Sequence, residues 1–227
     1  MEKYKFTGET KTIDLPFGTV TLHRIKAVVE FGLVKVGDLG GWIEKEENLS
    51  HEENAWVYDN AEVYGNAKVC DNAKVCGNAE VCSNAWVYGN AKVYDNAKVC
   101  DNAKVCGNAE VCSNAWVCGN AKVCGNAKVC GDTKVYGDAE VYDNAKVFST
   151  DHVLVIGAIG SRNDFTTFFR DKDNEITVKC GCFLGKIDKF LEKVTQTHKD
   201  TKHALVYRAA VEVAKLQIDL TEKSTRR

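Results

Sequence analysis

The fold is decided by residues 55–90, which read AWVYDN-AEVYGN-AKVCDN-AKVCGN-AEVCSN-AWVYGN. The same six-residue unit continues without a break, so that a valine occupies every sixth position from Val57 to Val147. Sixteen hexads follow one another, and only Thr133 replaces the alanine that opens each unit. A period of six matches neither an α-helical stripe nor a coiled-coil seam, whereas alanine and valine two residues apart share one face of a β-strand.

Each hexad is therefore predicted to form a short strand followed by a corner. The alanine and the valine face inward, and the lysine, glutamate or tryptophan between them faces outward. The pair formed by glycine, aspartate or serine and the following asparagine makes the bend, because glycine and asparagine tolerate positive φ. Such a unit cannot bury its own apolar face and must stack on its neighbours.

The spacing of valine and alanine carries a family resemblance. Val57 with Ala61, and Val63 with Ala67, follow the aliphatic–small pattern of hexapeptide-repeat proteins, which this segment resembles. The resemblance implies an all-β, left-handed parallel β-helix with three hexads, or 18 residues, in each coil. A right-handed helix of another cross-section is the alternative, and a disordered low-complexity tract is disfavoured because every hexad carries a valine in phase.

Open strand edges at the two ends of such a stack need covering, and the flanking segments are the candidates. We expect an N-terminal β cap over residues 1–54, the β-helix over 55–148 and a small α+β domain over 149–227. The first passage resembles the N-terminal cap of the YdcK-like family of bacterial and phage proteins through Gly40, Gly41, Trp42, Leu49, Ser50, Trp56, Val57 and Tyr58.

The third segment combines strand-like runs with two stretches of helical periodicity. It resembles a small prophage-associated domain of unknown function through IGSRND, TTFF and VKCGCF. In its final helix, the apolar stripe is expected to pack on the small sheet; this stripe consists of Leu205, Ala209, Val213 and Leu216.

Composition argues against two classes of partner, nucleic acids and membranes. With 30 basic and 32 acidic residues the formal net charge is −2, so no nucleic-acid binding is expected. No apolar run approaches the roughly 20 residues of a membrane span, and the N-terminus lacks the apolar core of a signal peptide. We therefore expect no membrane contact and a cytoplasmic location, in a bacterial cell or a phage-infected host.

Nine of the eleven cysteines occupy the position after valine. In an 18-residue coil, Cys82, Cys100 and Cys118 stack above one another, where they could pair or hold a soft metal. We expect reduced thiols that pack as small apolar side chains, and no metal, since no histidine lies in phase with them.

Trp56, Trp86 and Trp116 occupy the outward position and are candidate contacts with a partner, since tryptophan is enriched at interface hot spots. Hexapeptide-repeat helices are commonly trimers, so self-association as a homotrimer is the expected use. Coverage of these side chains by the flanking segments is the alternative.

The best ligand candidate is the glycine-containing stretch 157–164 after an apolar strand, where backbone N–H groups and Arg162 suit an anion. A plain turn between two strands is the favoured alternative, because the lysine of a phosphate loop is missing. The candidate ligand-binding residues are Ser161, Arg162, Asn163, Asp164, Thr166, Thr167 and Lys179.

These features favour a non-enzymatic structural or interaction protein, a rigid scaffold that displays a C-terminal binding domain and needs no cofactor. Hexapeptide acyltransferases use a histidine as general base, and the repeats contain none between His51 and His152. Two alternatives stay open: a phage-encoded inhibitor that sequesters a nucleotide or other small anion or blocks a host defence protein, and an acyltransferase-like protein.

Overall fold

A computed structural model describes residues 2–16 and 18–221. Its hexads form a parallel β-solenoid of about six turns with 18 residues in each coil. Val93, for example, pairs with Val75 on one side and with Val111 on the other. The predicted coil length is thus confirmed, and the left-handed sense stays a prediction.

Three strands precede the hexads: β1 (Tyr4–Leu15), β2 (Gly18–Ala27) and β3 (Leu39–Ile43), followed by a 3₁₀ helix at Glu46–Asn48. Each hexad then supplies one two-residue strand. These strands are β4 (Trp56–Val57), β5 (Glu62–Val63), β6 (Lys68–Val69), β7 (Lys74–Val75), β8 (Glu80–Val81), β9 (Trp86–Val87), β10 (Lys92–Val93), β11 (Lys98–Val99), β12 (Lys104–Val105), β13 (Glu110–Val111), β14 (Trp116–Val117), β15 (Lys122–Val123), β16 (Lys128–Val129), β17 (Lys134–Val135), β18 (Glu140–Val141) and β19 (Lys146–Val147).

The strands build three flat faces. Face 1 has the order β1-β2-β3-β5-β8-β11-β14-β17, face 2 has β4-β7-β10-β13-β16-β19, and face 3 has β6-β9-β12-β15-β18. Inside them, the hexad valines and alanines are buried and form one continuous core, as predicted. Lys92 N–H donates to the Ala109 carbonyl at 2.9 Å, one of the backbone hydrogen bonds that tie each coil to the next.

The corners differ from the prediction in one detail. Positive φ falls on the residue before each asparagine, as at Asp101 (φ 60), and not on the asparagine itself. The asparagine side chains are used instead for stacking along the tube. Asn102 Nδ2 donates to Asn120 Oδ1 at 3.2 Å, and Asn102 Oδ1 accepts from Asn84 Nδ2 at 3.1 Å.

The N-terminal segment enters the solenoid before the hexads begin. Ile43 pairs with Val63 and Leu49 pairs with Val69, so the first rungs are spaced by 20 residues instead of 18. The β1–β2 hairpin extends face 1 beyond β3. Gly41 permits this entry, because a Cβ there would lie 2.6 Å from the Ala61 carbonyl oxygen.

The C-terminal segment forms an antiparallel four-stranded sheet followed by two helices. The strands are β20 (Val153–Ile159), β21 (Asp164–Arg170), β22 (Ile176–Cys180) and β23 (Phe183–Lys186), and the helices are α1 (Ile187–His198) and α2 (Lys202–Gln217). Strand alternation sends Phe169 into the core of the tube and Phe168 into a second core under the helices. Neither helix has the length and apolar character that a bilayer crossing requires.

The predicted orientation of α2 is wrong. Its buried face is made of Ala204, Tyr207, Ala210, Val211 and Ala214, and these residues pack with Phe168 and Phe190. The stripe that was expected to face the sheet points outward. Small alanine side chains let the helix approach the sheet closely, and Tyr207 fills the remaining space. This face is therefore the buried one, although it carries fewer large aliphatic side chains.

Candidate functional site

The C-terminal sheet and the last coils of the tube meet at a polar junction. Glu140 N–H on face 3 donates to Thr167 Oγ1 at 3.0 Å. The Glu140 carboxylate pairs with Lys179 at 3.0 Å and with Lys122 at 2.8 Å. Burial would raise the pKa of this carboxyl, yet hydrogen bonds from both lysines hold it below its usual range. Because the two lysines are shared with an ionised carboxylate, they are not free for a ligand anion.

A cavity of about 450 Å³ opens beside this junction. Its charged lining consists of two lysines and three carboxylates, Lys122, Lys179, Asp138, Glu140 and Asp164. Phe165 supplies an apolar wall. The excess of negative charge favours a neutral or cationic polar group over the nucleotide considered from the sequence.

The structure separates the seven candidate ligand residues into three groups. Ser161, Arg162 and Asn163 lie in the exposed turn between β20 and β21, which closes with Asn163 N–H donating to the Gly160 carbonyl at 3.4 Å. Thr166 is buried on the helix side of β21, where its Oγ1 lies 3.3 Å from Cys180 Sγ. The other three residues, Asp164, Thr167 and Lys179, lie at the junction with the tube.

The three tryptophans lie on different faces. Trp56 is buried under the N-terminal segment, with its ring 5.3 Å from that of Phe31. Trp86 is exposed on face 3 and Trp116 is exposed on face 1. Each exposed ring has a lysine ammonium group near its face, Lys104 at 5.7 Å and Lys134 at 5.8 Å. The tryptophans therefore do not combine into one apolar patch.

An apolar stripe of α2 is exposed on the outer side of the helix. Leu205 is 58% exposed, Val213 is 49% exposed and Leu216 is 89% exposed. They lie at intervals of eight and three residues, which places them on one side of the helix. The same stripe was visible in the sequence, and only its assignment to the sheet was wrong.

Both histidines that flank the repeats have structural partners. His51 Nδ1 accepts a hydrogen bond from Lys3 N–H at 3.1 Å, and its ring stacks on Tyr4. His152 Nδ1 accepts from Phe148 N–H at 3.1 Å, and the His152 side chain is buried beside Arg170. These contacts place the two rings in the end caps, while the outward positions of the coils hold lysine, glutamate and tryptophan.

Not all thiols are reduced, contrary to the expectation from the sequence. Cys106 is bonded to Cys124 and Cys112 to Cys130, each across one coil with Cα atoms 4.6 Å apart. The parallel register explains this pairing, because it brings residues 18 apart within the Cα range of a disulfide. The Sγ atoms of Cys100 and Cys118 and a carboxylate oxygen of Asp101 lie within 4.8 Å of one another.

Neither a protein-family model nor a curated protein sequence matches this chain.

Proposed function

We propose that this protein is a non-enzymatic interaction scaffold, in which a rigid β-solenoid presents helix α2 for association with a second copy of the chain. The observation that carries the proposal is the exposed stripe formed by Leu205, Val213 and Leu216. Contiguous apolar side chains on a protein surface mark interaction sites more often than scattered ones do.

Rigidity of the support favours this function. Phe169 packs into the tube core, and Ala145 on the last coil forms a β-bridge with Asp171 of the C-terminal segment. Asp219 N–H, just after α2, donates to the Asp151 carbonyl at 2.9 Å. Helix α2 is thus held at its C-terminal end as well as along its buried face. Little conformational entropy is therefore lost when the helix binds a partner.

A second copy of the chain fits the charges beside the stripe. Arg208 and Glu212 lie one turn apart on the same flank of the stripe. In an antiparallel, two-fold pair of α2 helices, Arg208 of each copy faces Glu212 of the other, and the leucines near the two ends of the stripe meet. Two-fold interfaces use the same patch on both subunits, so complementarity of this kind is what a homodimer requires.

The area sets the expected strength. A helix of 16 residues is about 24 Å long, and a stripe about 10 Å wide covers roughly 240 Å² on each copy. Stable interfaces bury about 800 Å² on each partner. We therefore expect a weak, concentration-dependent dimer unless neighbouring surfaces add to the contact.

Sedimentation velocity over a wide concentration range tests the proposal. The wild type should shift towards a dimer as concentration rises, and the double variant Leu205→Glu/Leu216→Glu should stay monomeric, with a dissociation constant raised more than 10-fold. Leu33→Glu is the matched control, because Leu33 is 83% exposed at the other end of the molecule. A wild type that stays monomeric throughout, or loss of the dimer in the control alone, would contradict the proposal.

The homotrimer expected from the tryptophans is the competing assembly. It depends on the flat faces, so Trp116→Lys should dissociate the trimer and should leave an α2 dimer unchanged.

The YdcK-like relationship of the first coils and a cytoplasmic location agree with a scaffold of this kind and belong to the same proposal. Calorimetry with a coenzyme A thioester tests the non-enzymatic part, since specific binding heat would favour the acyltransferase alternative.

A further inference from the structure

One corner of the tube carries three consecutive cysteines. In the position after valine, the corner that follows face 1 reads Tyr64, Cys82, Cys100, Cys118, Tyr136, and we call this set the thiol ladder. Each of the other two corners has one adjacent pair of cysteines, and those two pairs are the two disulfides. Three thiols in a row cannot all pair, so Cys100 has a possible partner above it and another below it.

The central thiol is hydrogen-bonded in a way that stabilises its thiolate. The Trp116 indole N–H donates to Cys100 Sγ at 3.1 Å. The Cys82 thiol lowers the pKa of Cys100 to about 7, although burial alone would raise it. The pKa values of the two outer thiols move in the opposite direction. Burial and the Cys100 charge raise the pKa of Cys118 to about 11, and the pKa of Cys82 is also raised.

The chain contains its own comparison for this environment. Residues 70–87 and 100–117 have identical sequences, so Cys70 has the same local neighbours as Cys100. Trp86 N–H even donates to Cys70 Sγ at the same 3.1 Å. However, the next coil places Tyr88 over Cys70, whereas it places Cys118 over Cys100. Burial raises the pKa of the Cys70 thiol.

Ladder geometry lets Cys100 bond to either neighbour but keeps the two outer thiols from bonding to each other. Residues two coils apart are separated by about 9.6 Å at the usual strand spacing. A disulfide requires Cα atoms no more than about 7 Å apart. Cys82 and Cys118 therefore cannot form a disulfide with each other, whereas the Cα separation across one coil, as in the two disulfides, permits a bond from Cys100 to either neighbour.

We propose that Cys82, Cys100 and Cys118 form a thiol–disulfide exchange site, in which Cys100 is the attacking thiolate and either neighbour resolves the product. The oxidant is a low-molecular-weight disulfide. The Cys100 sulfur attacks one sulfur of that disulfide, a mixed disulfide forms, and the other half leaves as a thiolate that takes a proton from water.

The second step completes the exchange. Cys82 or Cys118 loses its proton to water and attacks Cys100 Sγ, so that a protein disulfide forms and the second small thiolate leaves. Two protein thiols are oxidised, and one small disulfide is reduced to two thiols. Mixed-disulfide intermediates are the general route for such exchange.

The test uses the folded full-length protein, oxidised glutathione as the probe at about pH 7, and mass spectrometry of the intact chain and its peptides. The wild type should gain a disulfide from Cys100 to one neighbour. Cys82→Ser and Cys118→Ser should each keep one such bond, and the double variant should accumulate a mixed disulfide on Cys100. Cys100→Ser should form no bond within the ladder, since the outer cysteines are too far apart.

Cys70 supplies the rate control in the same sample. A thiol of pKa about 7 has roughly 50 times the thiolate of one at the ordinary 9.0, and the loss of intrinsic nucleophilicity reduces this advantage to about 5-fold. Cys100 in the wild type should thus be consumed at least about 5-fold faster than Cys70. Equal rates, or a ladder disulfide in Cys100→Ser, would overturn the proposal. So would protection of Cys100 by added zinc without any disulfide product, because that result assigns the ladder to metal binding.

Discussion

Replacing Phe169 by alanine tests whether the tube and the C-terminal sheet form one body. Phe169 is completely buried in the tube core, and Phe168, the preceding residue on β21, is completely buried in the core beneath the helices. Removing a phenylalanine side chain from a core costs about 3–5 kcal/mol. We expect both Phe169→Ala and Phe168→Ala to lower the free energy of unfolding by that amount in urea titrations.

The two variants should differ in where the structure opens. Hydrogen exchange reports local opening for each backbone N–H. Phe169→Ala should speed exchange in the last coils, at Cys130 N–H and its neighbours, because it removes the side chain that covers the end of the tube. Phe168→Ala should speed exchange in α1 and α2 and leave those coils protected.

Two outcomes would contradict the view that the tube and the C-terminal sheet form one body. If Phe169→Ala cost less than about 1 kcal/mol, the C-terminal sheet would not seal the tube. If the wild type unfolded in two separate urea transitions, with only one of them moved by Phe169→Ala, the molecule would consist of two independent units. The rigid support required for presenting α2 would then be lost.

Three further predictions follow from single contacts. Gly41→Ala should lower the free energy of unfolding by about 1–3 kcal/mol in urea, because its Cβ would lie 2.6 Å from the Ala61 carbonyl oxygen; a change within error would contradict the close approach. Asn102→Ala removes two stacked side-chain hydrogen bonds and should lower the free energy of unfolding by about 1–2 kcal/mol. An unchanged midpoint of thermal unfolding would argue that the stacked asparagines do not stabilise the tube. Burial would raise the pKa of Asp171, but hydrogen bonds, with that from Lys186 foremost, hold it below its ordinary 3.8. A depressed pKa contributes stability above the ordinary value that is lost as the pH falls through the folded value, so acid unfolding should begin below about 3.8 and be less steep in Asp171→Asn.

The coil architecture could be predicted because its physical cause is local and repeated. Val93 and Ala97 face inward, as do the valines and alanines of the other hexads. One correct interpretation of the period therefore predicts the core along the whole tube. The first rungs could not be found in this way. Ile43 and Leu49 belong to the same stack, but their spacing of 20 residues breaks the period.

The functional surfaces were harder to predict because they depend on contacts between distant segments. Helix α2 has apolar residues on two sides, and only the packing of Tyr207 and Val211 against the sheet decides which side is buried. Trp56 has the same place in its hexad as Trp86, yet Tyr4 and Phe31 cover only Trp56. The pairs of bonded cysteines follow from the register, which the sequence implied, but their oxidation state does not.

A coil of three interchangeable hexads has a consequence for how such a chain diversifies. Copying or deleting one hexad preserves the dry interior, yet it rotates everything downstream by a third of a turn. The two identical blocks that begin at Cys70 and Cys100 are 30 residues apart, which is not a whole number of coils, so the copy arrives at a new corner with new neighbours. New surface chemistry can therefore arise by duplication alone, without a single substitution.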